Sequence, residues 1–398
     1  MIKKFLNLGK QPLANNYLTK NDLKRKKKQI FYTLEVGFNT SNKLVSITNT
    51  VSSKKMFAND YPYRSSMSKT IITSFKKLAK KILNQYHPNL ILEIGSNDGS
   101  FIKNFNKKKS ICVEPCGDVA KTTKKLGYQT YSDFWNLKLA RKIKKKNKNV
   151  DLVYSANTLS HILDLKSVFK SISYILSKNG ILIIEDPSLL ECLKKTSYDQ
   201  FYNEHIYVFS LCGIKNFIKK FGFEVFKIET LSIHGGSLRF YIKRIKNKEI
   251  KINNSVKIQL KKELKFGLHK FSTYIKYKKK VEKSKKRLQR IFRMIKNQNN
   301  KIIGYGATAK SVTVLNYCGI KNDTIDYFMD TTPGKIGKYM PGTYIYIKGY
   351  KKTLIKKNKY CYLGAWNFKN EIFKKEKNFI KNGGKFITHV PFPRIIKN

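Results

Sequence analysis

A short segment of the sequence, "FYNEHIYVFS" at residues 201–210, places a glutamate beside a histidine, with a tyrosine on either side. His205 is suited to take up a proton, because imidazole has an ordinary pKa of about 6.5. Glu204 can orient the imidazole ring or act on a second proton, and Tyr202 can donate a hydrogen bond to a developing negative charge. The alternative is an amphipathic segment in which His205 is a buried structural residue. The acid–base interpretation therefore requires a cofactor or substrate site nearby.

The elements around this segment predict such a site. Residues 73–243 alternate helical patterns with apolar strands, which is typical of a parallel sheet covered by helices. The last two strands, "FEVFKIETL" and "SLRFYIKRI", are joined by a few residues around "SIHGG", so they must pair antiparallel. A parallel sheet completed by such a hairpin resembles the S-adenosylmethionine-dependent methyltransferases. We predict an α/β fold with a central seven-stranded methyltransferase domain of the Rossmann-like kind.

The segment "LILEIGSNDGS" predicts the cofactor site. Glu93 ends a predicted strand, and Gly95, Asn97 and Gly99 lie in the turn before the next helix. Glycine suits this turn because a bulky ligand approaches the backbone closely and the turn can require a positive φ. The next strand ends at Glu114, a position from which a carboxylate can accept both hydroxyls of a ribose. The turn lacks the Gly-x-Gly-x-x-Gly spacing of a dinucleotide-binding domain.

Two further candidates follow the next strand, in the segment "NTLSH". Ligands of open α/β sheets lie at the carboxyl ends of the strands, so Asn157 is a candidate contact to the cofactor or the substrate. His161 is either a packing residue at a helix start or a residue of the substrate site. The segment is not the Asn/Asp-Pro-Pro-aromatic motif of amino-directed nucleic-acid methyltransferases, which argues against methylation of a nucleobase.

The C-terminal part contains a second glycine-rich turn, "GYGATAKS", after a predicted strand. Taken alone, Gly304 and Gly306 fit a dinucleotide fingerprint, with a nicotinamide cofactor as the competing ligand. Backbone amides at a helix start and the charge of Lys310 also suit a diphosphate. In the hairpin, Gly235 and its neighbour are predicted to form a tight two-residue turn, and His234 is a candidate for contact with a substrate phosphate or hydroxyl.

The formal charge of +57 invites a nucleic-acid interpretation. Lysine is nevertheless spread along the whole chain together with many Asn and Ile, as in AT-biased coding sequences, and arginines do not cluster. We therefore expect no specific nucleic-acid partner. No apolar run is long enough to predict a membrane span, no signal peptide is evident, and the six scattered cysteines predict reduced thiols. These features predict a cytoplasmic protein.

The motifs together resemble the nucleotide-sugar C-methyltransferases, in one order over nearly the whole chain. The matching segments are "LGKQPLANNYL", "FANDYPYRSS", "LEIGSNDGSF", "VEP", "NTLSHILDL", "YNEHIYVFS", "HGGSLRFYI", "GYGATAKSVTVLNYCGI", "DYFMDTTPGKIGKYMPGT" and "AWNF". The resemblance implies an S-adenosylmethionine-dependent enzyme that methylates a carbon beside the ketone of a nucleotide-linked keto-deoxysugar. It implies catalytic roles for Glu204, His205 and Tyr202, and for a tyrosine of the N-terminal domain, either Tyr63 or Tyr61. It does not fix the sugar, the carbon or the oligomeric state, which we expect to be a monomer or a homodimer.

The resemblance also implies the domain organisation. It consists of an N-terminal domain of the zinc-binding type (1–72), a methyltransferase domain (73–243), a lysine-rich helical linker (244–299) and a Rossmann-like nucleotide-sugar-binding domain (300–398). The family's zinc site uses two Cys-x-x-Cys pairs. Here Asn39 and Asn42 stand where the second pair would be, and no cysteine stands where the first would be. Since amides are poor zinc ligands beside thiolates, we predict no metal site.

Two other functions are compatible with the sequence. One is a nucleic-acid-binding protein on a methyltransferase scaffold, for which affinity would depend steeply on salt. The other is a degenerate, non-catalytic family member, suggested by the missing zinc ligands. The intact "YNEH" segment argues against the second.

Overall fold

The computed structural model describes residues 1–57 and 61–396. The strands in this part of the chain are β1 (Ile2–Pro12), β2 (Phe31–Asn39), β3 (Val45–Ile47), β4 (Ile91–Ile94), β5 (Ser110–Val113), β6 (Gln129–Tyr131), β7 (Val150–Ala156), β8 (Leu176–Pro187), β9 (Tyr207–Val208), β10 (Phe223–Leu231), β11 (Ser237–Arg244), β12 (Ile302–Tyr305), β13 (Tyr327–Asp330), β14 (Tyr346–Gly349), β15 (Tyr360–Leu363), β16 (Lys385–Thr388) and β17 (Arg394–Ile396). The α-helices are α1 (Lys20–Lys24), α2 (Ser53–Met56), α3 (Lys69–Tyr86), α4 (Gly117–Lys125), α5 (Leu137–Asn147), α6 (Leu165–Ile175), α7 (Leu189–Lys194), α8 (Leu211–Ile218), α9 (Asn254–Phe266), α10 (Phe271–Asn297), α11 (Ala309–Cys318), α12 (Lys352–Lys356), α13 (Lys369–Lys375) and α14 (Lys377–Lys381).

The central sheet has seven strands in the order β10-β11-β8-β7-β4-β5-β6. The strands from β4 to β8 pair in parallel, whereas β11 is antiparallel to both β8 and β10. This confirms the predicted α/β fold and its closing hairpin. The edge strand β6 was not predicted individually, because its three residues are all only partly buried and show no apolar pattern.

The turn of the closing hairpin is longer than predicted. It runs from Ser232 to Gly236 and contains a short 3-10 turn, so the prediction of a two-residue turn was wrong. Gly235 has a φ of +89°, and a Cβ built on it would lie 2.3 Å from the Trp366 ring. The turn is therefore shaped by packing against the C-terminal part of the chain.

A four-stranded antiparallel sheet forms the N-terminal part, in the order β1-β2-β3-β9. β2 and β3 pair antiparallel as a hairpin. Asn39 Oδ1 accepts hydrogen bonds from the amides of Ser41 (3.0 Å) and Asn42 (3.1 Å), which closes the loop between them as an Asx turn. The fourth strand, β9, comes from the segment that follows His205, so the N-terminal sheet is completed by a part of the chain that sequence patterns assign to the methyltransferase domain.

A second α/β unit forms the C-terminal part. Its sheet has six strands in the order β14-β13-β12-β15-β16-β17, and its strands are parallel except for β17. The predicted helical linker consists of α9 and α10, which are separated at Gly267. One face of α10 is buried at intervals of three and four residues, as the amphipathic pattern predicts. Its buried residues are Tyr274, Tyr277, Val281, Ser284, Leu288, Phe292 and Ile295.

The buried face of α10 connects the outer units. Tyr274 stacks on Phe38 of the N-terminal sheet with 4.6 Å between ring centroids, and Phe292 lies 5.7 Å from Tyr362 of the C-terminal sheet. Burial of each such side chain contributes roughly 1.5–3 kcal/mol. The helix therefore holds both units around the central sheet. No helix within the described ranges combines the length and apolar character needed to cross a membrane. All six cysteines are buried and unpaired.

Candidate active site

One cavity of about 450 Å³ is lined by residues of the N-terminal part, the central methyltransferase part and the C-terminal unit. The N-terminal part contributes Asn15 and Phe57, and the segment before α3 contributes residues 61–68. The central sheet contributes the turn after β4 and the segments after β5 and β7. The C-terminal unit contributes the turn after β12 and the residues around Asp330. The cavity is large enough for a drug-sized ligand, and it joins the two predicted ligand turns.

The turn after β4 has the backbone that the glycine pattern predicts. Gly95 and Gly99 have φ values of +76° and +78°, and Asn97 between them is also left-handed at +47°. A Cβ on Gly95 would lie 2.0 Å from the Thr158 hydroxyl. Only glycine therefore fits between the turn and the neighbouring strand end, and the backbone of this turn lines the cavity.

Two carboxylates lie beside this turn and line the cavity. Glu114, just past β5, accepts hydrogen bonds from the amides of Asn97 (2.9 Å) and Cys116 (3.0 Å), one on each oxygen. A carboxylate has about four acceptor sites, so Glu114 retains acceptor capacity for a ribose diol. Glu93 is buried, and its Oε2 atom has no hydrogen-bond partner within the described ranges. The turn, the free acceptors and the cavity fit S-adenosylmethionine.

Asn157 and His161 follow β7 and both line the cavity. Asn157 has a left-handed φ of +49°, and its amide donates to the carbonyl of Glu185 (2.7 Å). The ring of His161 stacks on Phe57 at 5.6 Å and lies 5.0 Å from the ring of His205. Burial lowers the pKa of His161 to about 4, so this ring is neutral at pH 7. His161 is therefore part of the site and also packs within it.

His205 lines the cavity with one nitrogen fixed from behind. Its Nδ1 atom lies 2.9 Å from the carbonyl oxygen of Gln200. A carbonyl only accepts, so Nδ1 carries the proton and Nε2 carries the lone pair of a base. Burial lowers the pKa of His205 well below its ordinary value, and His161 and Lys310 lower it further. The imidazole is thus neutral and able to accept a proton at pH 7.

Glu204 is bound differently from its neighbour. Its Oε1 atom accepts a hydrogen bond from Asn15 (2.7 Å) and its Oε2 atom accepts one from the Tyr61 hydroxyl (2.9 Å). Asn15 and Tyr61 line the cavity, and Glu204 lies behind them. Burial raises the pKa of Glu204 to about 7, although both hydrogen bonds act to lower it. The carboxyl therefore holds two cavity-lining side chains in place.

The three candidate tyrosines have different surroundings. The ring of Tyr202 lies 4.1 Å from that of His205, and its hydroxyl forms no hydrogen bond with the described residues. Burial raises the pKa of Tyr202 well above its ordinary value, so this hydroxyl stays protonated as a donor. The Tyr61 hydroxyl is already engaged with Glu204. Tyr63 lines the cavity but is 40% exposed.

The segment carrying these N-terminal tyrosines is bound to the cofactor turn. The Ser65 amide donates to Asn97 Oδ1 (2.9 Å), and the Ser66 amide donates to Asp98 (3.0 Å). Arg64 forms an ion pair of 2.6 Å with Asp118 at the start of α4. The segment thus covers the cofactor turn and carries Tyr61 to Glu204.

The C-terminal unit closes the cavity from the other side. Gly306 lines it with a φ of +83°, whereas Gly304 lies within β12 against the Phe328 ring and does not line it. Lys310 lines the cavity and donates to the carbonyl of His234 (3.3 Å). Burial lowers the pKa of His234, which also lines the cavity, to about 3. The candidates from both turns therefore meet in one space, except for Gly99 and Gly304, which do not line the cavity.

Sequence reasoning missed several lining residues, among them Asn15, Tyr305 and Lys335. Asn15 lies in the segment "LGKQPLANNYL", which contributes to the family resemblance. The segment alone does not indicate that Asn15 lines the cavity. Lys335 lies in "TTPGKIG", and its ammonium group donates to the carbonyl of Ala307 (2.9 Å). Its position beside the second glycine-rich turn depends on the pairing of β12 with β13, which spacing in the chain does not reveal.

Three family models match consecutive parts of the chain. A putative zinc-binding domain matches residues 1–57, a methyltransferase domain matches residues 63–228, and a C-methyltransferase C-terminal domain matches residues 232–391. Residues 1–57 contain neither cysteine nor histidine. The described ranges also hold no cluster of three or more His, Cys, Asp or Glu suited to a metal ion. The N-terminal part therefore matches a putative zinc-binding domain without the cysteines and histidines that form structural zinc sites.

Several individual proteins are also similar to the chain. The C-methyltransferase NovU of Streptomyces niveus is 27% identical over 396 residues, which covers 98% of this chain and 93% of NovU. A solved methyltransferase from Thermotoga maritima, described as a possible histamine N-methyltransferase, is 21% identical over 42% of this chain and 87% of its own, with a TM-score of 0.34. Magnesium protoporphyrin IX methyltransferase from Synechocystis is 10% identical over 44% of this chain and 79% of its own, with a TM-score of 0.33.

Proposed function

We propose that this chain, whose consecutive parts match a putative zinc-binding domain, a methyltransferase domain and a C-methyltransferase C-terminal domain, methylates a carbon next to the ketone of a nucleotide-linked keto-deoxysugar. The observation that carries the proposal is His205. Its protonated Nδ1 is held by Gln200, so the basic Nε2 is available in the same cavity as the cofactor turn.

Carbon methylation requires a base, because a carbon beside a ketone becomes nucleophilic only when it loses a proton. His205 Nε2 accepts that proton, and the electrons of the C–H bond pass into the enolate, whose charge lies mainly on oxygen. The hydroxyl of Tyr202 donates to this oxygen, since it has no other partner within the described ranges and its ring adjoins the base. Donors placed where charge develops are worth most when water is excluded.

The cofactor would be held by the turn after β4. Gly95 and Asn97 provide the backbone, and Glu114 accepts the ribose hydroxyls. When bound there, S-adenosylmethionine supplies an electrophilic methyl group. The segment of residues 61–66 covers this turn, and it also brings Tyr61 to Glu204. Holding two reactants in one oriented cavity contributes a large part of such a rate enhancement.

The nucleotide would lie against the second glycine-rich turn. The capping box of α11 occupies the amides of Thr308 and Ser311, so those of Ala309 and Lys310 remain for a diphosphate. Lys310 and Lys335 add positive charge on this side of the cavity. A nicotinamide cofactor is the competing ligand. A thermal-shift comparison separates them: we expect thymidine-diphosphate sugars to stabilise the protein and NAD to leave its Tm unchanged.

The decisive experiment is incubation with S-adenosylmethionine and a panel of thymidine- and cytidine-diphosphate keto-sugars, followed by mass spectrometry. We expect one panel member to gain a single methyl group on carbon, and we expect its adjacent proton to exchange in D₂O. Methyl transfer to oxygen or nitrogen would contradict the proposal, as would a panel in which no sugar is methylated, exchanged or bound.

A further inference from the structure

We propose that Asp199, together with Trp366 and His389 of the C-terminal unit, forms a buried contact that fixes the position of His205. These three are positioning residues for the proton transfer, and the inference rests on the function proposed above. We call this set the Asp199 cluster. None of its three residues lines the cavity, although Ala365 and Asn367 on either side of Trp366 do.

The Asp199 cluster joins two units of the chain. Asp199 lies in a short 3-10 turn after α7, and its Oδ2 atom accepts a hydrogen bond from Trp366 Nε1 (2.5 Å). The same oxygen lies 3.2 Å from Nε2 of His389, which follows β16. Asp199 and His389 are fully buried. The contact therefore links the methyltransferase domain to two separate segments of the C-terminal unit.

The Asp199 cluster is adjacent in the chain to Gln200, whose carbonyl orients His205. Asp199 precedes Gln200, whose carbonyl holds Nδ1 of His205. The Gln200 side chain donates to the carbonyl of His234 (2.8 Å), and the ring of Trp366 packs on the adjoining turn at Gly235. The carbonyl of Gln200, which selects the tautomer of His205, is thus held by two contacts. One is the bond from the Gln200 side chain to His234, and the other is the bond between Trp366 and the adjacent Asp199 carboxylate.

The Asp199 carboxylate is charged in this environment. Burial alone would raise its pKa, but His389, Lys310 and the Trp366 N–H together hold the pKa below its ordinary value. Removal of one partner of a buried charge is strongly destabilising, because the remaining charge stays unpaired. A substitution within the Asp199 cluster is therefore expected to shift the 3-10 turn of residues 198–200. A displacement of about 1 Å at a catalytic group can cost on the order of a hundredfold in rate.

The test is ¹⁵N NMR of histidine-labelled full-length protein, with His205 assigned by comparison with His205→Gln. We expect His205 in the wild type to be neutral with its proton on Nδ1. In Asp199→Asn and Trp366→Phe we expect a mixture of tautomers, because the Gln200 carbonyl is displaced. The matched control is Gln29→Met, which removes a different contact to the C-terminal unit, the bond from the Gly342 amide (2.8 Å). It should keep the wild-type spectrum.

Kinetics give a second readout. We expect kcat for the sugar identified above to fall roughly 10- to 100-fold in the two cluster variants, with Kd for S-adenosylmethionine unchanged. If Asp199→Asn does not fold, Trp366→Phe retains both the carboxylate and an aromatic ring. Folded variants with the wild-type His205 spectrum would overturn the inference. Since the spectrum needs no substrate, a failure of the proposed reaction remains distinguishable from a failure of this inference.

Discussion

His205 and Glu204 are neighbours in the chain, but only the imidazole lines the cavity, whereas the carboxylate lies behind Asn15 and Tyr61. The pair that the sequence suggests as a joint acid–base unit is therefore divided into two roles. In the proposed reaction, His205 contacts the substrate. Glu204 holds Asn15 and Tyr61, two side chains that line the cavity.

The role of His205 predicts a large effect of its removal. We expect His205→Ala to lower methyl transfer by on the order of a hundred- to ten-thousandfold, the usual contribution of a positioned base. Binding of S-adenosylmethionine, measured by calorimetry, should be retained because the cofactor turn lies on other strands. His87→Asn, at the left-handed end of α3, is the control. Near wild-type turnover in His205→Ala would refute the assignment.

The tyrosines can be ranked from their surroundings. We expect Tyr202→Phe to lower kcat roughly 10- to 100-fold, because the variant leaves a buried oxyanion without its donor. Tyr63→Phe should lose less, since its ring is 40% exposed. The measurement is kcat for both variants with the same sugar. The reverse order would place the enolate on the side of Tyr63.

Glu204 predicts a pH dependence of stability. Burial raises its pKa from 4.5 to about 7, so between these values the folded protein holds a proton that the unfolded chain releases. The resulting stabilisation is complete below the unfolded pKa and is lost as the pH rises through about 7. Glu204→Gln does not titrate. Between pH of about 5 and about 8, we therefore expect it to lose less stability than the wild type, by on the order of 3 kcal/mol.

Urea unfolding at several pH values measures this difference. The control is Glu191→Gln on α7, whose side chain is partly exposed. It should follow the wild-type pH profile. Parallel profiles of Glu204→Gln and the wild type would mean that the Glu204 carboxyl is ionised throughout.

Glu114 predicts the strength of cofactor binding. A hydrogen bond to a charged group contributes about 1.5–3 kcal/mol, so we expect Glu114→Gln to weaken S-adenosylmethionine binding roughly 10- to 100-fold. The substitution also affects the bonds from Asn97 and Cys116, so circular dichroism must first show an intact fold. Unchanged affinity in a folded variant would exclude the ribose contact.

The N-terminal sheet predicts independence from zinc. Asn39 uses its side chain to close the β2–β3 loop, and the residues that match a putative zinc-binding domain contain no cysteine or histidine. We expect no stoichiometric zinc by elemental analysis and no change of Tm with a chelator. Asn39→Ala should cost about 1 kcal/mol, the usual worth of such hydrogen bonds. Stoichiometric zinc in the purified protein would contradict this prediction.

Local patterns were sufficient to predict much of the molecule. The apolar strands, the glycine-rich turns and the closing hairpin depend on neighbouring residues, so the central sheet without its edge strand β6, and the turn around Gly95, follow from local patterns. The family resemblance is confirmed by the matched domain models. The two-residue turn at Gly235 was wrong, because the contact with Trp366 that shapes the turn is made by a residue far along the chain.

The remaining features depend on contacts between distant segments. Nothing near Glu204 in the sequence indicates that it bonds to Asn15, 189 positions away. Likewise Asp199, Trp366 and His389 carry no common motif, and only the folded chain brings them together. Composition and spacing can nominate residues for a site, but they do not show which atoms of those residues face the ligand.

The strand β9 links the N-terminal sheet to the candidate active site. Its two residues lie immediately after Ile206 and complete a sheet whose other strands are formed by the first 47 residues. An exchange of the N-terminal part between related enzymes would therefore leave a strand mismatched beside His205. Hybrid enzymes built to alter substrate preference would have to carry "YNEHIYV" along with the N-terminal graft, although the two are encoded far apart.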